Sequence, residues 1–199
     1  MNIVTTMLAA YLAGGFPTGV IAGRLLHHRD IREFGSRNPG AINVWRTFGL
    51  GCGMIVVMVD IGKGFFATYL LPRLSGGESM RFTLILGLIA VGGHIWSPWL
   101  RLRGGKGVAT AFGAVAALYP LGVLVSVGVW VVSLALTRYA SVASLTAAFF
   151  TPAAVHWIYH PAPAEMILII ALPFLLTYTH RGNLQRLWSG EELKVGGNR

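Results

Sequence analysis

Acidic side chains are scarce in this chain: its 199 residues hold seven Asp and Glu against sixteen Lys and Arg, and a single cysteine. Cys52 alone excludes an intrachain disulfide and any cysteine metal cluster, and is expected to be a small packing residue. Asp occurs only at positions 30 and 60, so no DxxD array for a metal-dependent phosphotransferase can be built, and HExxH is missing as well. Chemistry on this chain is therefore expected to need no metal and no cofactor.

Whole stretches also lack charge. None precedes Arg24, so the first apolar run has no basic region of the kind a cleavable signal peptide carries, and it is expected to be an uncleaved anchor with its N-terminus outside. Charged residues make up 12% of the chain and hydrophobic ones 54%, outside the soluble globular range. Apolar runs cover Ile3 to Gly23, Leu50 to Leu71, Phe82 to Leu100, Val108 to Leu118, Leu121 to Leu136, Ala140 to Tyr159 and Ala164 to Tyr178. A spanning helix needs ~20 residues, which makes Val108 to Leu118 short. The expectation is an all-α integral membrane protein, a single domain over 1–199, with about seven transmembrane helices.

Charge falls almost entirely between the runs because an ionised side chain in hydrocarbon costs at least ~2.5 kcal/mol; Asp60 and Lys63 lie well inside one. With seven spans, thirteen Lys and Arg, from Arg24 to Arg199, fall on one side and only Arg73 and Arg81 on the other. That bias makes the basic side, and the C-terminus, cytoplasmic. The net charge of +9 points to lipid headgroups or an anionic substrate as partners. Nucleic acid is excluded, because the basic residues are scattered over loops with no recognition helix or stacking platform.

Gly15, Gly19 and Gly23 lie at four-residue spacing, a pattern that lets a neighbouring helix approach closely. Three polar stretches then break the apolar pattern, and all emerge on the same expected side: Phe34 to Arg46 (FGSRNPGAINVWR), His94 to Thr110 (HIWSPWLRLRGGKGVAT) and Thr179 to Glu191 (THRGNLQRLWSGE). In the second, Gly104, Gly105, Lys106 and Gly107 form a glycine turn opening into a helix, where curled backbone N–H groups and a helix N-terminus suit a phosphate. It is not a nucleotide P-loop, since Leu100 and Gly107 stand where that motif needs Gly and Ser or Thr. A plain glycine hairpin is the other reading. In the first stretch, Arg37 and Arg46 suit bidentate binding of phosphate or carboxylate; a solvated basic turn near anionic lipid is the alternative. His180, Arg181 and Asn183 follow an apolar run directly, and a His there is either a helix-end partner or a catalyst. Asp60 and Lys63 share a helix face as a structural ion pair or a substrate contact. Ser141 and Ser144 follow Arg138 and could add donors. No His has an Asp five residues later, so the His-x4-Asp signature of the large acyltransferase family is absent.

GSRNPGAIN with WR, Gly93-His94 followed by RGGKGVAT, and HRGNLQRLWSGE resemble the three motifs of the bacterial acyl-phosphate-dependent glycerol-3-phosphate acyltransferases, the PlsY family. The likeness runs from the first span to about Glu191 and includes order, spacing, length and hydropathy. It departs at Ile42, where the family usually has Thr, and adds charge at Arg37 and Arg103. The resemblance implies transfer of a fatty acyl group from acyl phosphate to the sn-1 hydroxyl of glycerol 3-phosphate at the cytoplasmic face of the bacterial inner membrane. It implies Lys106, His180 and Ser36 as catalytic residues, and Asn38, Asn43, Arg46, Gly104, Gly105, Gly107, Ser144 and Asn183 as substrate-binding ones. Contact with the enzyme that makes acyl phosphate would follow from the same chemistry. A small transporter of a phosphorylated solute is the competing reading, since broken helices with glycine turns also form ion sites near mid-span.

Overall fold

The structure, a computed structural model, describes residues 2–76 and 79–196. Arg199, counted above among the basic residues, lies outside them. Among the described residues there are eleven α-helices and no strand, and they cluster into two compact units, 1–117 and 118–199.

The first unit holds α1 (Ile3–Gly15), α2 (Thr18–His27), α3 (Ala41–Phe48), α4 (Leu50–Phe65), α5 (Leu71–Ser75), α6 (Met80–Ile95) and α7 (Val108–Ala116). The Asn2 side chain caps α1 by accepting from the Thr5 amide at 2.9 Å. The run expected as one span from Ile3 to Gly23 is broken at Phe16–Pro17 and bent by 41°. Pro17 supplies no amide, and it pushes the preceding residue out of the helical region, as Phe16 shows at φ −51°, ψ 123°. The break also divides the glycine series. Gly15 faces the Pro98 ring, Gly19 the Pro39 carbonyl and Gly23 the Arg29 carbonyl and Phe48 ring, so loops as well as helices use the close approach. Through a π-helical turn at Phe66–Leu70, α4 continues into α5 as one apolar stretch, Leu50–Ser75.

The second unit holds α8 (Pro120–Thr137), α9 (Ala140–Tyr159), α10 (Pro163–Thr179) and α11 (Arg181–Trp188). Pro120 and Pro163 open their helices where a missing amide costs nothing. Arg138, in the left-handed region at φ 61°, turns α8 into α9. Its guanidinium donates to the Gly196 carbonyl at 2.7 Å and its own carbonyl accepts from the Val195 amide, so the C-terminal segment is tied to this turn.

Four helical stretches are long and apolar enough to cross a membrane, and two bent pairs, α1 with α2 and α10 with α11, raise the number to six. The chain is a multi-pass, all-helical membrane protein. The fourth of the expected segments, α7, has nine residues, about 13 Å of helix against a hydrocarbon core of ~30 Å. It packs closely on α4: a Cβ on Gly113 would fall on the Ile61 carbonyl and one on Gly64 on the Thr110 carbonyl. Gly113→Leu should therefore separate α7 from α4 and cost at least ~1–3 kcal/mol. Gly128→Leu, at a position with nothing within 4 Å, should leave the unfolding temperature in detergent unchanged. Equal melting of the two variants would contradict the packing.

Candidate active site

In the first unit residues 34–40 of the first polar stretch form a loop folded around one side chain of α3. Asn43, 2% exposed, donates from Nδ2 to the carbonyls of Phe34 and Asn38, both at 3.0 Å, and more distantly to Ile31, while its Oδ1 accepts from the Ser36 amide at 2.9 Å. Both hydrogens and the oxygen of the amide are thus engaged within the loop, which gives Asn43 a structural part beside the substrate contact expected of it. Asn38 Oδ1 accepts from the Gly40 amide, a side-chain turn that leads through Pro39 into α3. Arg37 is exposed and sits at φ 58°, whereas Ser36 and, on α3, Arg46 are half-buried.

Upstream, Asp30 anchors this loop. Its carboxylate accepts from the Arg32 amide and guanidinium and from the Arg24 guanidinium, at 2.7–3.0 Å. The Arg32 side chain holds the carboxyl well below the usual carboxylate range, against the opposing effect of burial.

The glycine turn has a different construction from the one expected. The Gly104 amide donates to the Ile95 carbonyl and the Gly105 amide to the His94 carbonyl, both at 3.0 Å. They satisfy the last carbonyls of α6, which have no intrahelical partner, and so do not face an anion. These positions need glycine for space, since a Cβ on Gly104 would meet the His94 carbonyl and one on Gly105 the His94 ring. Gly107 caps α7 at φ 85°, and the first bond within α7 runs from the Ala111 amide to Gly107. Lys106, half-buried, stands beside the N-terminal amides of α7, the end of the helix that carries its partial positive charge.

A narrow recess brings parts of the first two stretches together. Pro39 and Gly104–Gly105 line it, with Gly15 to Gly19 at the helix break, Asp60, Lys63, His94, Ser97 and Leu100. Ser36, Arg46 and Lys106 are not among the lining residues. Carbonyls freed by the break are capped across the unit, Gly15 by the Ser97 hydroxyl and Phe16 by Lys63 Nζ.

The second unit carries the third stretch. His180, 2% exposed, stands at the 57° bend between α10 and α11. Its Nδ1 lies 2.8 Å from the Leu176 carbonyl. A carbonyl can only accept, so Nδ1 carries the hydrogen and Nε2 is the accepting nitrogen of the neutral ring. Asn183 Nδ2 donates to Glu192 Oε1, which also accepts from the Ser141 hydroxyl, and Arg186 Nε donates to Glu192 Oε2. Ser144 accepts from the Trp130 indole at 3.2 Å, a packing role between α8 and α9. Glu192 was not among the residues singled out from the sequence; the available signal was a carboxylate in a chain nearly devoid of them, just beyond the third motif. Among the described residues no group of three or more His, Cys, Asp or Glu could hold a metal ion.

A family model for glycerol-3-phosphate acyltransferases matches residues 4–190. The chain belongs to that family. It is 42% identical to the glycerol-3-phosphate acyltransferase of Gloeobacter violaceus over 94% of this chain and 92% of the relative. Identity to the Staphylococcus carnosus protein of the same name is 38%, over 98% of each chain. Two crystal structures of PlsY, described as an integral membrane glycerol 3-phosphate acyltransferase, superpose with TM-scores of 0.89 and 0.87 at 34% and 33% identity, covering 98% of this chain and 96% and 95% of theirs. One is the glycerol 3-phosphate form and the other the lysophosphatidic acid form. The chain is thus an acyltransferase of PlsY type.

Asp30 gives the loop a pH signature. A carboxyl held low in the folded state stabilises it at neutral pH, and that contribution fades as pH falls below the ordinary Asp value of about 3.9. Arg24 and Arg32 are exposed to solvent, which bounds the effect at about 1 kcal/mol. Asp30→Asn should unfold at lower temperature than the parent at neutral pH, with the gap closing toward pH about 3. A gap that widens on acidification would contradict the pairing.

Proposed function

We propose that this chain transfers a fatty acyl group from acyl phosphate to the sn-1 hydroxyl of glycerol 3-phosphate, giving lysophosphatidic acid and inorganic phosphate. The observation that carries the reading is the match to the glycerol-3-phosphate acyltransferase family over residues 4–190, together with the likeness to a PlsY structure in its glycerol 3-phosphate form. In the reaction the alcohol oxygen forms a bond to the carbonyl carbon, the bond from that carbon to the phosphate oxygen breaks, and the alcohol proton is passed on. Acyl phosphate is a mixed anhydride, already activated, so the protein mainly aligns two anions and neutralises charge as it builds on the carbonyl oxygen and leaving phosphate.

Lys106 and the amides that open α7 are assigned to the acyl phosphate. Arg46, Ser36 and Asn183 are assigned to glycerol 3-phosphate, and His180 Nε2 to the alcohol proton, the alternative acceptor being a phosphate oxygen of the substrate itself. The acyl chain is assigned to a groove between helices, with access from the cytoplasmic face of a bacterial inner membrane, and the chain is taken as a single domain in function. Contact with the enzyme that makes acyl phosphate fits a donor prone to hydrolysis. The transporter reading loses its ground in the geometry: Asp60 and Lys63, its mid-span candidates, are bonded to each other and to the ends of the broken helix.

Lys106→Met should lower turnover by at least ~100-fold, as for a lost oxyanion donor, in a protein that still folds; a folded variant with near-parental turnover would contradict the assignment. In the same assay His180→Ala should lower kcat if the ring takes the proton, whereas a raised KM for glycerol 3-phosphate with kcat retained would assign it to the substrate's phosphate. For orientation, reporter cysteines at Arg37, Arg103 and Gln185 in a Cys52-free background should be shielded from an external reagent, because basic loops stay inside. Labelling of all three from outside would reverse the topology.

A further inference from the structure

Two histidines of the second unit have no part in the acyl transfer assigned above. α9 starts beside the Arg138 turn and runs for 20 residues, Ala140–Tyr159; His156 lies in its last turn and His160 is the residue that ends it. At ~1.5 Å per residue they stand roughly 25–30 Å along the helix from Ala140. The 17 residues of α10 then separate them from His180.

A spacing of four residues puts both side chains on one face of the helix end. Their rings meet there, with centroids 5.9 Å apart and planes inclined by 49°. Two imidazoles that share one metal ion through nitrogen bonds of ~2.0–2.1 Å have centroids about 5–6 Å apart at tetrahedral or wider angles. The observed separation therefore fits a bridged pair. Both residues are exposed, and their backbone is already fixed, because the His160 amide donates to the His156 carbonyl at 3.0 Å. Trp157, 77% exposed between them, is the kind of side chain that marks the edge of an apolar span, and the span itself ends at Tyr159. Ions in solution can reach the pair.

The helix terminus favours the same ligand. Its last carbonyls carry partial negative charge and attract a cation. A single protonated histidine would meet that need, whereas two cationic rings one turn apart repel each other. One cation held between two neutral rings supplies the charge without the repulsion.

We propose that His156 and His160 form a binding site for one divalent transition-metal ion of the kind that prefers imidazole, such as zinc, nickel or copper, with water completing its coordination. The bound ion ties the last turn of α9 to His160, whose backbone is left-handed at φ 49°, and so holds the helix end. Magnesium and calcium are hard cations that take oxygen ligands and are not held. The site stabilises the fold and lends no group to the reacting atoms.

The experiment uses full-length, untagged protein in detergent. Titration with Cu2+, followed by electron paramagnetic resonance, should show one saturable equivalent whose signal is split by two nitrogens. Zn2+ should raise the melting temperature above its value in chelator, as binding to the folded state requires, while Mg2+ should not. His156→Ala keeps a good helix former, and His160→Asn keeps a residue that tolerates the left-handed turn. Each should weaken Zn2+ binding by about 10-fold or more, since losing a ligand costs at least as much as losing the outer partner of one. The double variant should lose the two-nitrogen signal and the zinc shift, with turnover in chelator equal to the parent's. His27→Gln with His28→Asn, which removes the other neighbouring pair, should bind both metals as the parent does. Absence of saturable binding, a copper signal split by one nitrogen only, or a zinc shift that survives in the double variant would overturn the site. If the double variant does not fold, the His27 and His28 variant decides, and loss of the two-nitrogen signal there would overturn the proposal.

Discussion

A helix that stops among apolar neighbours must find partners for its last carbonyls, because a buried unpaired carbonyl costs as much as a lost hydrogen bond. The polar features of this chain are organised by that constraint. At Phe16–Pro17 the carbonyls of Gly15 and Phe16 are taken by Ser97 and Lys63. At the end of α6 those of His94 and Ile95 are taken by the amides of Gly105 and Gly104. At the end of α10 the Leu176 carbonyl is taken by the amide and ring of His180. Ser97, Gly104, Gly105 and His180 lie within the polar stretches, and Lys63 lines the recess beside the second of them, so the residues that make breaks in helices tolerable also fix the backbone of those stretches.

This separates two kinds of motif residue. Asn43, Gly104, Gly105 and Glu192 hold backbone or partner side chains. Lys106, Arg46 and Ser36 are half-buried and stand on or beside those supports. His180 belongs to both kinds, since its Nδ1 caps a helix while the same bond fixes Nε2 as an acceptor. A metal-free acyl transfer fits such a scaffold, because an activated donor asks for placement and charge compensation more than for a strong base.

Much of the fold was legible in the sequence, because hydrocarbon admits little besides helices and the apolar runs mark them. The runs at Leu50 to Leu71, Phe82 to Leu100, Leu121 to Leu136, Ala140 to Tyr159 and Ala164 to Tyr178 all became helices close to those bounds. Pro17 was visible, yet the run stays apolar when averaged over the length of a span, and so the first break was missed. Motif membership was legible from residue type and spacing, but direction was not: nothing local says that the amides of Gly104 and Gly105 turn back to α6, or that Asn43 faces its own loop. Those choices depend on which carbonyls are left over in three dimensions. The pairing of Asp60 with Lys63 was legible from helical spacing, whereas the addition of Thr18, Phe16 and His94 to that pair required the fold.

The account stands or falls on direct use of an activated acyl phosphate without a metal. Purified protein given palmitoyl phosphate and glycerol 3-phosphate in the presence of a chelator should release lysophosphatidic acid and phosphate in equal amounts, as followed by mass spectrometry and phosphate release, and palmitoyl-CoA should give no product. Product formed from palmitoyl-CoA alone, or activity abolished by the chelator and restored by added metal, would contradict it.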